Sequence, residues 1–528
     1  MDQKLFFRNN RDNLILGLVC FYGIYAHVAA HYNLSFPVKS IVIACSVFLL
    51  ILSSLSASVA NQLKCIIGLS FLGIEPIMFI LPVIYLPKIL NYFIIKKNIF
   101  RYKKWSALII GFFGLEILQI SISNIFDFSL FTIIFWFVIF GFSCLLFVFF
   151  AEKEYSEDVV LDVFRFFKRL IQIQIVVLLV QFLFHRRVLP GDDWNGTFLD
   201  ADKSGFYLLL LFLFYFAPPL LNKGRSFARY LSIKRIMYFL LLLAFLIMCD
   251  SKIKNMLVLS GLFLISVVIA VPFLIKKRSF VSYRKSVIFI VIFLFSFSVI
   301  FSAATAYLRY ISPASTSLLS VVKKYTYAPP DPEKARMGIN GKYLLYKKVY
   351  FDLFVDSPVK WFWGEGPGKF GSRTSNMMAY DLLFKYEDQF KLPEFIHPYS
   401  SPLAQKYMEG MWTKEKAEFV KYISSNLSIP FAGLVTIKGE MGILGVIYFL
   451  IIILFLSIYL LNFKGEQRNP DLNDWALVLS IFWISLPVQM LVDNIQEKPQ
   501  IMYPMFLLTA IILGMNSSKA QQEKLNIL

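Results

Sequence analysis

The stretch KCIIGLSFLGIEPIMFILPVIYLPKILNYFII, residues 64–95, decides how the chain is threaded. It is apolar for longer than one membrane crossing, which takes about 20 helical residues. Glu75-Pro76 interrupts it. Two short crossings meeting near Pro82 put the basic run from Lys96-Lys97 to Lys103-Lys104 on one side of a membrane, and a single crossing puts it on the other. Basic loops favour the cytoplasmic side. The two-crossing reading places there this run, Lys223 to Arg235, Lys276 to Lys285 and both termini.

Further runs long enough to span lie near 13–31, 36–55, 105–123, 127–150, 168–185, 205–222, 235–249, 255–275, 286–304, 441–463, 474–493 and 501–516. The expected architecture is an all-α polytopic membrane protein of about 12–14 transmembrane helices. Membrane helices fill residues 1–303 and 441–528, and a large, mostly helical segment at 304–440 lies outside. That segment holds 18 Lys/Arg, 13 Asp/Glu and 24 aromatic residues, too aromatic for a disordered tail. Helices are expected in it at 342–356 and 413–424.

Composition agrees with this reading. Of 528 residues, 58% are hydrophobic and 16% charged, with mean hydropathy +0.64. A soluble domain carries about a quarter charged residues. The net charge of +19 sits in clusters between apolar runs, so it is assigned to cytoplasmic loops and anionic headgroups rather than to nucleic acid. No cleavable leader is expected, because the first apolar run lacks a small-residue cleavage site. The five cysteines lie in or beside apolar runs, and no CxxC or HExxH pattern is present. The expectation is therefore no disulfide framework, no metal and no cofactor.

Polar residues gather at the outer face in this topology. His185-Arg186-Arg187 and Asp192-Asp193-Trp194 share one short loop. Arg suits bidentate phosphate recognition, and Trp gives a flat face to a sugar. Solvated ion pairs at the membrane surface are the plainer alternative. Lys252 and Lys254 stand at the outer headgroups, against the inside bias of positive charge, with Asp250 or a diphosphate as partner. The run Trp361-Phe-Trp363-Gly364-Glu365-Gly366-Pro-Gly368-Lys-Phe370 has glycines that allow close backbone approach. No strand precedes it, so it is not a nucleotide-binding fingerprint. Glu75 and Glu116, inside apolar runs, are expected to be structural acids. Asp192, Asp193, Glu365, His397 and Glu440 are the candidate bases, and all four histidines (His27, His31, His185, His397) fall at the outer face.

Four stretches resemble the O-antigen polymerase and O-antigen ligase superfamily of bacterial envelope glycosyltransferases. They are Asn195-Gly196-Thr197-Phe198 before a span, Ser251-Lys252 between two spans, Arg336 followed by Ser357-Pro358 and Gly364 to Phe370, and Gly439-Glu440-Met-Gly442-Ile-Leu-Gly445 at the start of the next span. The resemblance implies metal-independent, inverting glycosyl transfer on the periplasmic face of the inner membrane. The donor it implies is a glycan on undecaprenyl diphosphate. Arg336, Glu440 and His397 would be catalytic. Lys252, Lys254, Arg186, Arg187 and Arg336 would hold the diphosphate, and Trp194, Trp361, Trp363, Gly366 and Gly368 the glycan. A chain-length regulator and a flippase of the same pathway are implied partners. Ligases of this superfamily carry a His about ten residues before the Glu440 position. Here Ser424 to Phe431 has none, which favours a polymerase over a ligase acting on lipid A-core. A flippase for the lipid-linked glycan is the reading from a different class. The absence of repeated halves speaks against it.

Overall fold

The computed structural model describes residues 3–32, 37–96, 104–122, 130–185, 196–198, 201–221, 346–370, 433–463, 470–491 and 495–525, with a few more at 237–246 and 403–407. In chain order the helices are α1 (Gln3–Tyr32), α2 (Val38–Leu55), α3 (Val59–Ser70), α4 (Glu75–Lys96), α5 (Lys104–Ile122), α6 (Leu130–Trp136), α7 (Phe142–Ala151), α8 (Glu157–His185), α9 (Ala201–Leu221), α10 (Leu353–Asp356), α11 (Pro358–Trp363), α12 (Gly433–Leu461), α13 (Pro470–Gln489) and α14 (Pro499–Leu525). No strand occurs among the described residues. Among the described residues, seven stretches of helix are long and apolar enough to cross a membrane, including Arg11–Ala29, Glu157–Phe184 and Gly433–Leu461. The protein is an all-α, multi-pass membrane protein. The spans expected at 255–275 and 286–304, most of 235–249, and the helix expected at 413–424 lie outside the described residues.

Residues 64–95 do form two helices that reverse direction, but not where the sequence placed the reversal. The break is at residues 71–74, and Pro82 and Pro87 lie inside α4. Membrane helices tolerate proline where neighbours satisfy the freed backbone groups. The first arm, α3, has 12 residues and rises about 18 Å, short of a ~30 Å hydrocarbon core. It runs parallel to α1, with Lys64 beside Asp12 and Gly68 against Ile15. Tyr85 then returns to the end of α2, where its hydroxyl meets Ser53 Oγ at 2.6 Å, and Lys88 donates to Ser54 O at 2.7 Å.

A distant segment fixes the tip of this hairpin. The Gly73 N–H donates to Thr197 O at 3.0 Å. A Cβ on Gly73 would stand 2.5 Å from Phe198 O. Phe198 stacks on Tyr207, with centroids 5.1 Å apart, and Tyr207 in turn lies 4.4 Å from Phe71. Gly73→Val is therefore expected to lower the thermal midpoint of the purified protein, because no side-chain motion relieves a backbone clash. Val at Gly17, where no atom of the described residues lies within 4 Å of a Cβ, should leave the midpoint much less changed.

At the base of the hairpin Lys64 is buried, with Asp12 at 2.5 Å and Asp162 at 2.7 Å. This charge cluster ties α1, α3 and α8 together. Elsewhere α12 packs on α13, and α14 on α7. Two hydrogen bonds cross this core: Trp483 Nε1 donates to Thr509 Oγ1 at 2.9 Å, and Tyr503 Oη to Val138 O at 2.7 Å.

Candidate functional site

The segment 346–370 is a helical stretch that ends in a glycine-rich turn. A π-turn at Lys348–Asp352 runs into α10, Ser357-Pro358 starts α11, and Gly364 ends it. Gly364, Gly366 and Gly368 have φ of 84°, 104° and 74°. These left-handed values favour glycine, and three of them within five residues fold the turn back on itself.

The turn docks on a break in another helix. At Gly442 the backbone of α12 has φ 67° and ψ −170°, a region open essentially only to glycine. A break in a helix strands the carbonyls of the preceding turn. Here the glycine-rich turn supplies their donors. Glu365 N–H donates to Gly439 O and Gly366 N–H to Glu440 O, both at 2.9 Å. Phe370 N–H donates to the Glu440 side chain, Oε1, at 3.2 Å. The approach is close on both sides. A Cβ on Gly364 would lie 2.2 Å from Glu440 O, and one on Gly442 2.0 Å from Phe362 O.

Side chains lock this joint from below and from the flank. Trp361 Nε1 donates to Tyr350 O at 2.9 Å. Tyr350 Oη donates to Leu434 O, and Tyr346 Oη to Leu491 O, each at 3.1 Å. Lys438 is fully buried, donates to Trp361 O, and holds its ammonium 4.3 Å from the Trp361 ring centre. Gln119 of α5 donates to Trp363 O. Val349, Leu353, Phe370, Leu403, Tyr407 and Val435 form a small apolar core beneath. Glu365 pairs with Lys360 at 2.8 Å. The joint thus collects two buried carboxylates, Glu365 and Glu440, and two buried ammonium groups, Lys369 and Lys438. Glu116 of α5 is also buried, within electrostatic reach of Glu440, and its Oε2 has no hydrogen-bond partner among the described residues.

At the far end of the segment, Asp356 is exposed and bound by Lys406 at 2.6 Å and by the Tyr407 hydroxyl. The Lys406 and Tyr407 hydrogen bonds hold its carboxyl below the ordinary range. A depressed carboxyl adds stability above its unfolded pKa of about 3.9, and that stability is lost as pH falls through the folded value. The wild type is therefore expected to melt above Asp356→Asn at neutral pH. The two thermal midpoints should converge once the medium is acid enough to protonate Asp356.

Of the residues picked from sequence, Glu440, Trp361, Trp363, Gly366 and Gly368 meet at this joint. Trp361 is turned onto Lys438 and Tyr350, and Trp363 offers its carbonyl to Gln119. Arg336, His397, Lys252, Lys254, Arg186, Arg187 and Trp194 lie outside the described residues. The Gly196-Thr197-Phe198 turn is buried between helices. Thr197 Oγ1 donates to Phe71 O at 2.8 Å, Thr197 N–H to Gln174 Oε1 at 3.0 Å, and His27 Nε2 lies 3.0 Å from Gly196 O. Four residues of the joint were not singled out from sequence: Lys438, Gln119, Tyr346 and Tyr350. Lys438 carried a signal, a lone cation two residues before Glu440 in an otherwise apolar run. No protein-family model, curated protein or solved structure matches the chain.

Proposed function

We propose that the protein is a polysaccharide polymerase that joins undecaprenyl-diphosphate-linked oligosaccharide repeat units on the periplasmic face of a bacterial inner membrane. One observation carries the reading. The glycine-rich turn Gly364–Phe370 and the Gly439–Gly442 break, two of the stretches on which the family resemblance rests, are hydrogen-bonded to each other. They are about 70 residues apart in sequence, and their junction buries acids and cations together.

In the proposed reaction an acceptor hydroxyl of one repeat unit attacks the anomeric carbon of another. The bond from that carbon to the diphosphate breaks, and the lipid diphosphate leaves with the electron pair. The acceptor proton passes to a carboxylate or to His397. Fixed cations stabilise the charge that develops on the leaving group. Arg336, Lys252, Lys254, Arg186 and Arg187 are assigned to that task. Glu440, oriented by the Phe370 N–H, is assigned to the acceptor side. Trp194, Trp361, Trp363 and the glycine turn are assigned to the glycan.

The test is a reconstitution with the lipid-linked repeat unit of the host as sole substrate, without nucleotide sugar or metal. A ladder of longer lipid-linked glycans is expected. Glu440→Gln should reduce it by a factor on the order of 100 or more, the scale lost with one acid–base group. Absence of a ladder from the folded wild type would overturn the polymerase. Transfer to added lipid A-core would make the protein a ligase instead.

A further inference from the structure

Residues 351–362 present an apolar ridge that no described part of the protein covers. Phe351, Phe354, Val355, Val359 and Phe362 are between 41% and 78% exposed. On the other side, Val349 and Leu353 are buried, and Tyr346 and Tyr350 are half-buried and pinned by their hydroxyls. The segment is thus amphipathic with its greasy side outward, which an aqueous loop avoids.

Its depth is fixed by the joint. The carbonyl of Phe362 is the nearest atom to a Cβ at Gly442. Along α12, Gly442 stands about 28 Å from Leu461 at 1.5 Å per residue, close to the ~30 Å thickness of a hydrocarbon core. With Leu461 at one boundary of the membrane, Phe362 falls at the other. Just inside that boundary, α12 shows Ile447, Leu450, Ile451 and Leu454 on its surface, as a lipid-facing helix does. The ridge continues this belt. At the start of the segment are Lys347, exposed, and Lys348, half-buried, with no ion pair among the described residues. Exposed aromatics with unpaired lysines alongside mark a helix lying in the interface of an anionic bilayer.

We propose that residues 346–363 lie in the membrane surface on the Gly442 side, with phospholipid acyl chains against the Phe351–Phe362 ridge and anionic headgroups on Lys347 and Lys348. This holds the glycine turn at headgroup level, and it stands whatever reaction the turn serves.

The test uses the full chain with its five cysteines replaced by alanine, carrying Val355→Cys or Val359→Cys with a spin label. The protein is reconstituted in vesicles of phosphatidylcholine and phosphatidylglycerol. Collisions with oxygen should exceed those with a water-soluble nickel chelate severalfold at both positions. Ile451→Cys, the lipid-facing control, should read the same way, and Lys347→Cys should read the reverse. Nickel access at 355 and 359, with Ile451→Cys still reading lipid, would overturn the proposal. A second measurement keeps the native cysteines and places a benzophenone side chain at position 359. Photocrosslinking to phospholipid is expected. Crosslinking to a second copy of the chain, seen as a doubled band, would overturn it.

Discussion

Gly442→Ala is expected to destabilise the purified protein by on the order of 3 kcal/mol and to expose Lys360 and Lys369 to trypsin. Two independent effects add here. The backbone at Gly442, with φ 67° and ψ −170°, has no allowed equivalent for alanine. The new Cβ would also fall 2.0 Å from Phe362 O, a backbone atom that no rotamer change removes. Relief requires that α12 straighten or that α11 lift away. Either breaks the bonds from Glu365 and Gly366 to the carbonyls of Gly439 and Glu440. If the proposed reaction holds, transfer falls with the joint. Gly114→Ala is the matched control, since no atom of the described residues lies within 4 Å of a Cβ there. Alanine in a helix interior is favourable, so that variant should melt at or slightly above the wild type. Equal melting and equal trypsin resistance of the two variants would mean that the break in α12 does not depend on glycine.

Lys64→Met is the second large effect, expected at about 3–5 kcal/mol. The ammonium bridges the carboxylates of Asp12 and Asp162, and removing it takes away the charge that the two acids share. The loss comes from the repulsion between the two acids that Lys64 had bridged and not from the lost contact alone. Adding Asp12→Asn and Asp162→Asn to Lys64→Met should therefore recover a substantial part of the thermal midpoint. A triple variant no more stable than the single one would show that the three helices are joined by something other than this charge cluster.

Much of the fold was legible because membrane spans need length and apolarity, and both are written locally. The two helices in residues 64–95 were readable from excess length and Glu75-Pro76. The position of the break was not. It is set by Gly73 meeting Thr197 and Phe198, a contact between residues more than 120 apart, and Pro82 drew attention that it did not merit in a helix whose neighbours surround it. The same division holds at the site. Gly364, Gly366 and Gly368 announce a tight turn, and the run from Gly439 to Gly445 announces the start of an apolar helix. That α12 begins earlier, at Gly433, and that its break receives the turn, depends on carbonyls left without donors at Gly439 and Glu440. Pairings of that kind leave no trace in composition. Lys438 was hidden differently. Glu440 stands two residues on, but the partners of Lys438 are a backbone carbonyl and an indole face, which nothing nearby in sequence marks.

Hydrogen–deuterium exchange tests the docking of the glycine-rich turn on α12 most directly. In reconstituted full-length protein, the amides of Glu365, Gly366 and Phe370 are bonded to Gly439 O, Glu440 O and Glu440 Oε1. Peptides covering residues 364–370 should therefore exchange about as slowly as those from α12, and should become fast in Gly442→Ala. Complete exchange of 364–370 in the wild type at the rate of an open loop, with α12 still protected, would contradict the joint and remove the site built upon it.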